Sequence, residues 1–237
     1  MVLSAALSAL APLTPAQAAP RVEDSIAQRV QACTGCHGAL GRAAPDGYYP
    51  RIAGKPAGYL YHQLLNFRDG RRHYSLMTQL VDPLSDSYLQ EIAAYFSQLD
   101  LPYPAPAPKA ATADTAAATE RGQKLVRHGD PARQIPACAQ CHGEALMGVA
   151  PDIPGLLGLP RDYLNAQLGA WRNHNRRAQS PDCMGEIARR LSLNDIGALS
   201  HWLSSQTPPP QAKPAQSLPA PLPMDCGGVN LPRKGTP

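Results

Sequence analysis

Apolar positions in this chain recur at the three-to-four-residue spacing of helices, and no stretch alternates with the two-residue period of a strand. Tyr59, Leu60, Gln63, Leu64 and Phe67 share one face of a helix expected over 55–67. Leu89, Ile92, Tyr95, Phe96 and Leu99 do the same over 85–99. The pattern returns later, with Tyr163, Leu164, Leu168 and Trp171 over 156–171 and Ile196, Leu199, Trp202 and Leu203 over 192–203. Ser85 and Ser192, each after a leucine, are suited to cap the helices they open. Shorter amphipathic stretches cover 25–31 and 119–128, the latter with Thr119 as its N-cap. The expectation is an all-α protein.

The elements come in pairs, which points to an internal repeat. Pro50-Arg51-Ile52-Ala53-Gly54 aligns with Pro154-Gly155-Leu156-Leu157-Gly158, Gln63-Leu64 with Gln167-Leu168, Phe67-Arg68 with Trp171-Arg172, Met77 with Met184, and Leu84-Ser85 with Leu191-Ser192. The offset stays between 104 and 107 residues. Two homologous domains follow, 20–102 and 119–207. Between them, 103–118 is rich in Pro and Ala and is expected to be an extended, semi-rigid linker. A Pro-rich tail, 208–237, lacks periodicity and should lie along the surface. Residues 1–19 have the form of an export signal: an apolar run from Val2 to Leu13, then Ala16-Gln17-Ala18 as a cleavage site, although no basic residue precedes the run. That run is shorter than the roughly 20 apolar residues of a membrane helix, and no later segment reaches that length, so the mature chain should carry no integral span. Peripheral association with a membrane stays open.

Each domain carries Cys-x-x-Cys-His, as Cys33-Thr34-Gly35-Cys36-His37 and Cys138-Ala139-Gln140-Cys141-His142. This is the attachment pattern of a c-type haem. The cysteines form thioethers to one porphyrin, and the histidine lies under the iron as its proximal ligand. Zinc binding or a redox dithiol are the alternatives to a lone Cys-x-x-Cys. The adjacent histidine in both copies and the export signal weigh against them. Composition agrees: aromatics make up only 5% of the chain, with two Phe, so a porphyrin would supply much of the missing core bulk. A formal charge of +4 without a basic run gives no sign of nucleic acid.

The motif assigns His37 and His142 as proximal ligands. Of five methionines, Met1 belongs to the signal, Met147 follows His142 too closely to reach the opposite face, and Met224 has no counterpart in the first domain. Met77 and Met184 remain as distal ligands, each seven residues before the leucine of Leu-Ser. His62, His73, His128, His174 and His201 lie outside the motifs as rivals. His/Met ligation would leave no open site and argues for electron transfer rather than catalysis.

These residues resemble the tandem diheme class I cytochromes c, and cytochrome c4 in particular, over nearly all of 25–206. The resemblance implies two class I cytochrome folds facing each other near a pseudo-two-fold axis, with Pro50 and Pro154 packed by the proximal histidines. It also implies a periplasmic electron carrier, not an enzyme, that serves the respiratory chain between a donor complex and an acceptor such as a terminal oxidase. The other readings are an electron-accepting subunit of a periplasmic dehydrogenase and, behind it, a haem enzyme with one open iron. Two features depart from the pattern. The loop from Trp171 to Met184 is three residues longer than that from Phe67 to Met77. Cys183 and Cys226 are left over as a pair, which in an oxidising compartment suggests a disulfide that pins the tail. By chain entropy such a bond is worth about 3–4 kcal/mol. Charge is also uneven: 20–102 is neutral, with eight basic and eight acidic residues, whereas 103–237 carries 14 basic and ten acidic. Arg172, Arg176, Arg177, Arg189 and Arg190 flank Met184 and could form a basic rim or pair with haem propionates.

Overall fold

The computed structural model describes residues 23–44, 47–106, 113–210 and 212–230. The expected export signal lies outside them. The first unit begins with α1 (Ile26–Arg29), capped by Ser25, and runs into α2 (Gln31–His37). Then come α3 (Ala57–Arg68), α4 (Ser75–Val81) and α5 (Asp86–Ser97). Helices α3 and α5 bury Leu60, Phe67, Leu89, Ile92 and Phe96 between them and against Val30. Ser85 caps α5 as expected, its hydroxyl accepting from the Tyr88 amide at 3.3 Å.

The second unit holds α6 (Ala113–His128), α7 (Cys138–His142), α8 (Arg161–Arg172), α9 (Cys183–Arg190) and α10 (Leu193–Leu203). Leu125, Val126, Leu164, Ile196, Leu199 and Leu203 form its core. Gly122 is where α6 crosses α10: a Cβ there would sit 2.3 Å from the Ala198 carbonyl oxygen, so only glycine permits this approach. Ser192 caps α10 and Asp195 returns the bond, which makes a reciprocal box. Asp195 is fully buried and also takes Arg133 (2.6 Å) and Arg121.

Several boundaries differ from expectation. The stretch 103–118 is not extended throughout, because α6 already begins at Ala113 and Thr119 is not a cap. It lies inside the helix and donates its hydroxyl to the Thr115 carbonyl at 2.7 Å. Four of the six residues in 113–118 are alanine, the best helix former, and the helix extends through the run from the part packed on α10. The start of this connection is docked rather than free: Arg51 stacks on Tyr103 at 4.1 Å and donates to the Pro102 carbonyl at 3.0 Å. Residues 156–160 are not helical either. Gly158 takes φ +70°, and α8 opens only after Pro160. A two-residue hairpin, β1 (Gly148–Val149) and β2 (Ile153–Pro154), is too short to leave an alternating pattern. The tail packs against it, with Ala150 N to Ala215 O at 2.8 Å and Ala215 N to Gly148 O at 2.9 Å.

The units meet through matching loops. His73 N donates to Asn175 O at 2.9 Å and Arg177 N to Arg71 O at 2.6 Å, and all four positions are related by the same offset of 104. Between them Arg72 donates to Gln63 (3.0 Å) and across the seam to Gln167 (2.8 Å). Arg176 mirrors it, to Gln167 (2.7 Å) and across to Gln63 (2.8 Å). Each guanidinium stacks on its own unit's aromatic, Arg72 on Phe67 at 4.5 Å and Arg176 on Trp171 at 3.7 Å. Among the described residues, no helix is long and apolar enough to cross a membrane.

Candidate haem sites

In each unit the short helix that carries Cys-x-x-Cys-His ends at a glycine with positive φ, Gly38 or Gly143, and its histidine turns inward. His37 and His142 are both buried. His37 Nδ1 lies 2.8 Å from the Pro50 carbonyl oxygen, and His142 Nδ1 lies 2.7 Å from that of Pro154. A carbonyl only accepts, so Nδ1 carries the proton and Nε2 keeps its lone pair free for a metal. Burial lowers the pKa of both rings, partly offset by those carbonyls, which further favours the neutral, ligating form. The repeat pairs of prolines and histidines are thus in contact, as the resemblance implied.

His37 faces a cavity of about 640 Å³ whose walls include Cys33, Pro50, Ile52, Leu64, Phe67 and Met77. Cys36 is exposed. The second cavity, about 210 Å³, includes Cys138, Cys141, His142, Pro154, Leu164 and Met184. Tail residues Leu222 and Met224 also line it. His62 and His73 border the cavities as well, His62 with Nδ1 3.8 Å from Asp152. His128, His174 and His201 line neither cavity.

The chemistry of these walls fits a haem. Both cavities are largely apolar, yet Lys55 and Arg176 line both and are buried. No carboxylate lies within ion-pair distance of either among the described residues. Burial pushes both of their pKa values down. Trp171 Nε1 is buried without an acceptor. A buried cation needs a counter-anion and a buried donor needs an acceptor, and a haem brings two propionates that can serve as both. Burial pushes the Cys138 thiol up to about 12 and the Cys141 thiol up to about 11, which leaves both as thiols rather than as a reactive dithiol pair. No cluster of three or more metal-ligating side chains occurs among the described residues.

No family model matches the chain. It is 34% identical to a cytochrome c4 of Pseudomonas aeruginosa over 72% of this chain and 82% of that one. The crystal structure of reduced recombinant cytochrome c4 from Pseudomonas stutzeri matches with a TM-score of 0.61 and 32% identity, over 75% of this chain and 95% of the other. The chain belongs to the diheme cytochrome c4 family. This cytochrome therefore carries two covalent haem c groups and transfers electrons. It is also 35% identical to a thiosulfate dehydrogenase electron acceptor of Thiomonas intermedia, over 80% of this chain and 85% of that one. The structure of thiosulfate dehydrogenase (TsdBA) from Marichromatium purpuratum in its as-isolated form matches with a TM-score of 0.64 and 33% identity, over 73% of this chain. There this cytochrome spans only 36% of the longer chain.

The disulfide between Cys183 and Cys226 is present. Of the five arginines near Met184, Arg177 and Arg189 are exposed and Arg176 is buried. Arg172 donates to the Leu191 carbonyl, Arg189 pairs with Glu186, Arg190 donates to the Gln134 carbonyl, and Arg176 is buried in the seam. The seam was the part of the site that sequence reasoning missed. Its signal was present: Gln63 and Gln167 recur on an otherwise apolar helix face, each followed by a loop arginine at the same distance.

Proposed function

We propose that this cytochrome is a periplasmic electron carrier with haem attached at Cys33 and Cys36 and at Cys138 and Cys141. Its axial pairs are His37 with Met77 and His142 with Met184. It takes single electrons from a periplasmic dehydrogenase of the thiosulfate-oxidising kind and passes them to a respiratory acceptor such as a terminal oxidase. It performs no catalysis of its own. The observation that carries this reading is the twofold recurrence of one arrangement. A buried Cys-x-x-Cys-His histidine, oriented by a proline carbonyl, shares an apolar cavity with a methionine. The acceptor role rests on the likeness to electron acceptors of thiosulfate dehydrogenase.

Haem c supplies reversible one-electron exchange between Fe(III) and Fe(II) when bound. The residues set its terms. Pro50 and Pro154 orient the imidazoles and increase their basicity through the Nδ1–H bond. The thioethers of Met77 and Met184 are weak donors that favour Fe(II) and raise the potential. Lys55, Arg176 and the Trp171 indole N–H hold propionate charge at the seam. The arginine–glutamine lattice keeps the two sites at one separation.

The test is a haem count and visible spectrum of protein matured in a host competent for c-type haem. Two covalent haems per chain are expected, with the weak far-red band of Met–Fe(III) ligation. Met77→Ala and Met184→Ala should each remove about half of that band, one of the two sites. Oxidised protein should be reduced by thiosulfate only when thiosulfate dehydrogenase is added. A high-spin spectrum, or a single haem, would overturn the carrier reading.

A further inference from the structure

Cys183 is the first residue of α9 and directly precedes Met184. Its disulfide partner, Cys226, lies in the tail. The loop leading to Met184 is closed by Asp182, whose carboxylate accepts from Ala178 N and Gly185 N, both at 2.9 Å. The tail lies directly on that loop. Gly227 N donates to Pro181 O at 2.9 Å, and a Cβ on Gly227 would come within 2.1 Å of the Ser180 carbonyl oxygen.

The same tail is fastened on the other side of the cavity. Ala215 pairs with the backbone of Gly148 and Ala150, and Asn230 N donates to Asp152 Oδ2 at 2.7 Å. That hairpin carries Pro154, which orients His142. The tail therefore ties the proximal wall to the distal wall across one cavity. The first unit has no equivalent: its only cysteines are Cys33 and Cys36, and α4, which carries Met77, has no side-chain cap.

We infer that the Cys183–Cys226 disulfide and the tail it anchors act as a clamp that positions Met184 as the distal ligand of the second haem alone. This rests on the ligand reading above. A thioether is a weak ligand, and a segment held in its bound geometry loses little freedom on ligation. The clamp thus favours Met184 ligation without touching the iron. Cys183 and Cys226 are positioning residues.

The experiment compares wild type, Met184→Ala and Cys183→Ala/Cys226→Ala as mature diheme proteins. In the double variant, the share of the far-red band that Met184→Ala removes should melt at a temperature about 10 °C or more lower, while the Met77 share is unmoved. One midpoint potential should fall and the other hold. If the double variant matures poorly, the folded wild type is treated with a phosphine, which reduces the disulfide to two thiols and becomes the phosphine oxide. The thiols are then alkylated and the haems reoxidised with ferricyanide. The same selective loss is expected. An unchanged band and unchanged potentials, with Met184→Ala still removing half, would overturn the clamp but leave the ligands assigned. A band left at full strength by Met184→Ala would overturn both.

Discussion

The two units are copies of one design, yet they hold their methionines differently. In the first, Met77 sits on a seven-residue helix between Leu76 and Leu80, which are 56% and 43% exposed. That helix is fastened to α3 by one side-chain bond, Thr78 Oγ1 to the Phe67 carbonyl at 3.2 Å. In the second, the position equivalent to Leu76 is Cys183, and it is bonded to the tail. A short loop with open apolar flanks stands against a longer loop that is capped, bridged and covered. Duplication thus fixed the architecture, while a tail and two cysteines allowed one copy to diverge. The difference leaves the Met77 segment the more exposed and the Met184 segment the more constrained.

The largest expected effect concerns what the units share. Arg176 is buried and bonds Gln63, Gln167 and Tyr59, whereas Arg72 is less buried at the equivalent position. Arg176→Leu should cost about 3 kcal/mol in calorimetric unfolding, because it removes the charge-assisted hydrogen bonds that a buried guanidinium makes to Gln63 and Gln167. Arg72→Leu should cost about half of that. Equal costs would mean that the seam is as symmetric in energy as in geometry.

An intermediate effect separates the units by pH. Asp195 stands where the first unit has Tyr88. Burial opposes its ionisation, but Arg133, Ser192 and Arg121 outweigh it and hold the carboxyl well below the usual range. A folded pKa below the unfolded one adds stability that is full above the unfolded value, about 3.9, and is lost as pH falls toward the folded one. Asp195→Asn should therefore destabilise the second unit by about 1–3 kcal/mol at neutral pH. Urea melts should show the gap from wild type shrinking below about pH 4. A gap that stays constant with pH would assign the cost to packing instead.

The smallest effect sharpens the contrast at the methionines. Thr78→Val removes the side-chain bond that ties α4 to α3 and should cost about 1 kcal/mol. Thermal melting of the far-red band should show the loss in the Met77 share alone. Loss in both shares would mean that the two ligand loops are coupled through the seam.

Much of this was legible in the sequence because it is local or repeated. Covalent haem attachment needs two cysteines and a histidine on one short helix, and that spacing survives any tertiary context. The capping serines, the helix faces and the repeat offset were legible for the same reason: each depends on neighbours three or four residues away, or on a second copy. The extension of α6 through 113–118 was not, since alanine permits a helix there but packing against α10 decides it. Nor was the hairpin at 148–154, whose two-residue strands carry no period. Sequence alone determined the chemistry of the two sites. Only the tertiary structure decided how they are joined, because the pairing of Arg72 and Arg176 with glutamines a hundred residues away depends on desolvation at a seam. It also decided the path of the tail, whose described residues pair with the hairpin and line the second cavity, contacts that no periodicity links.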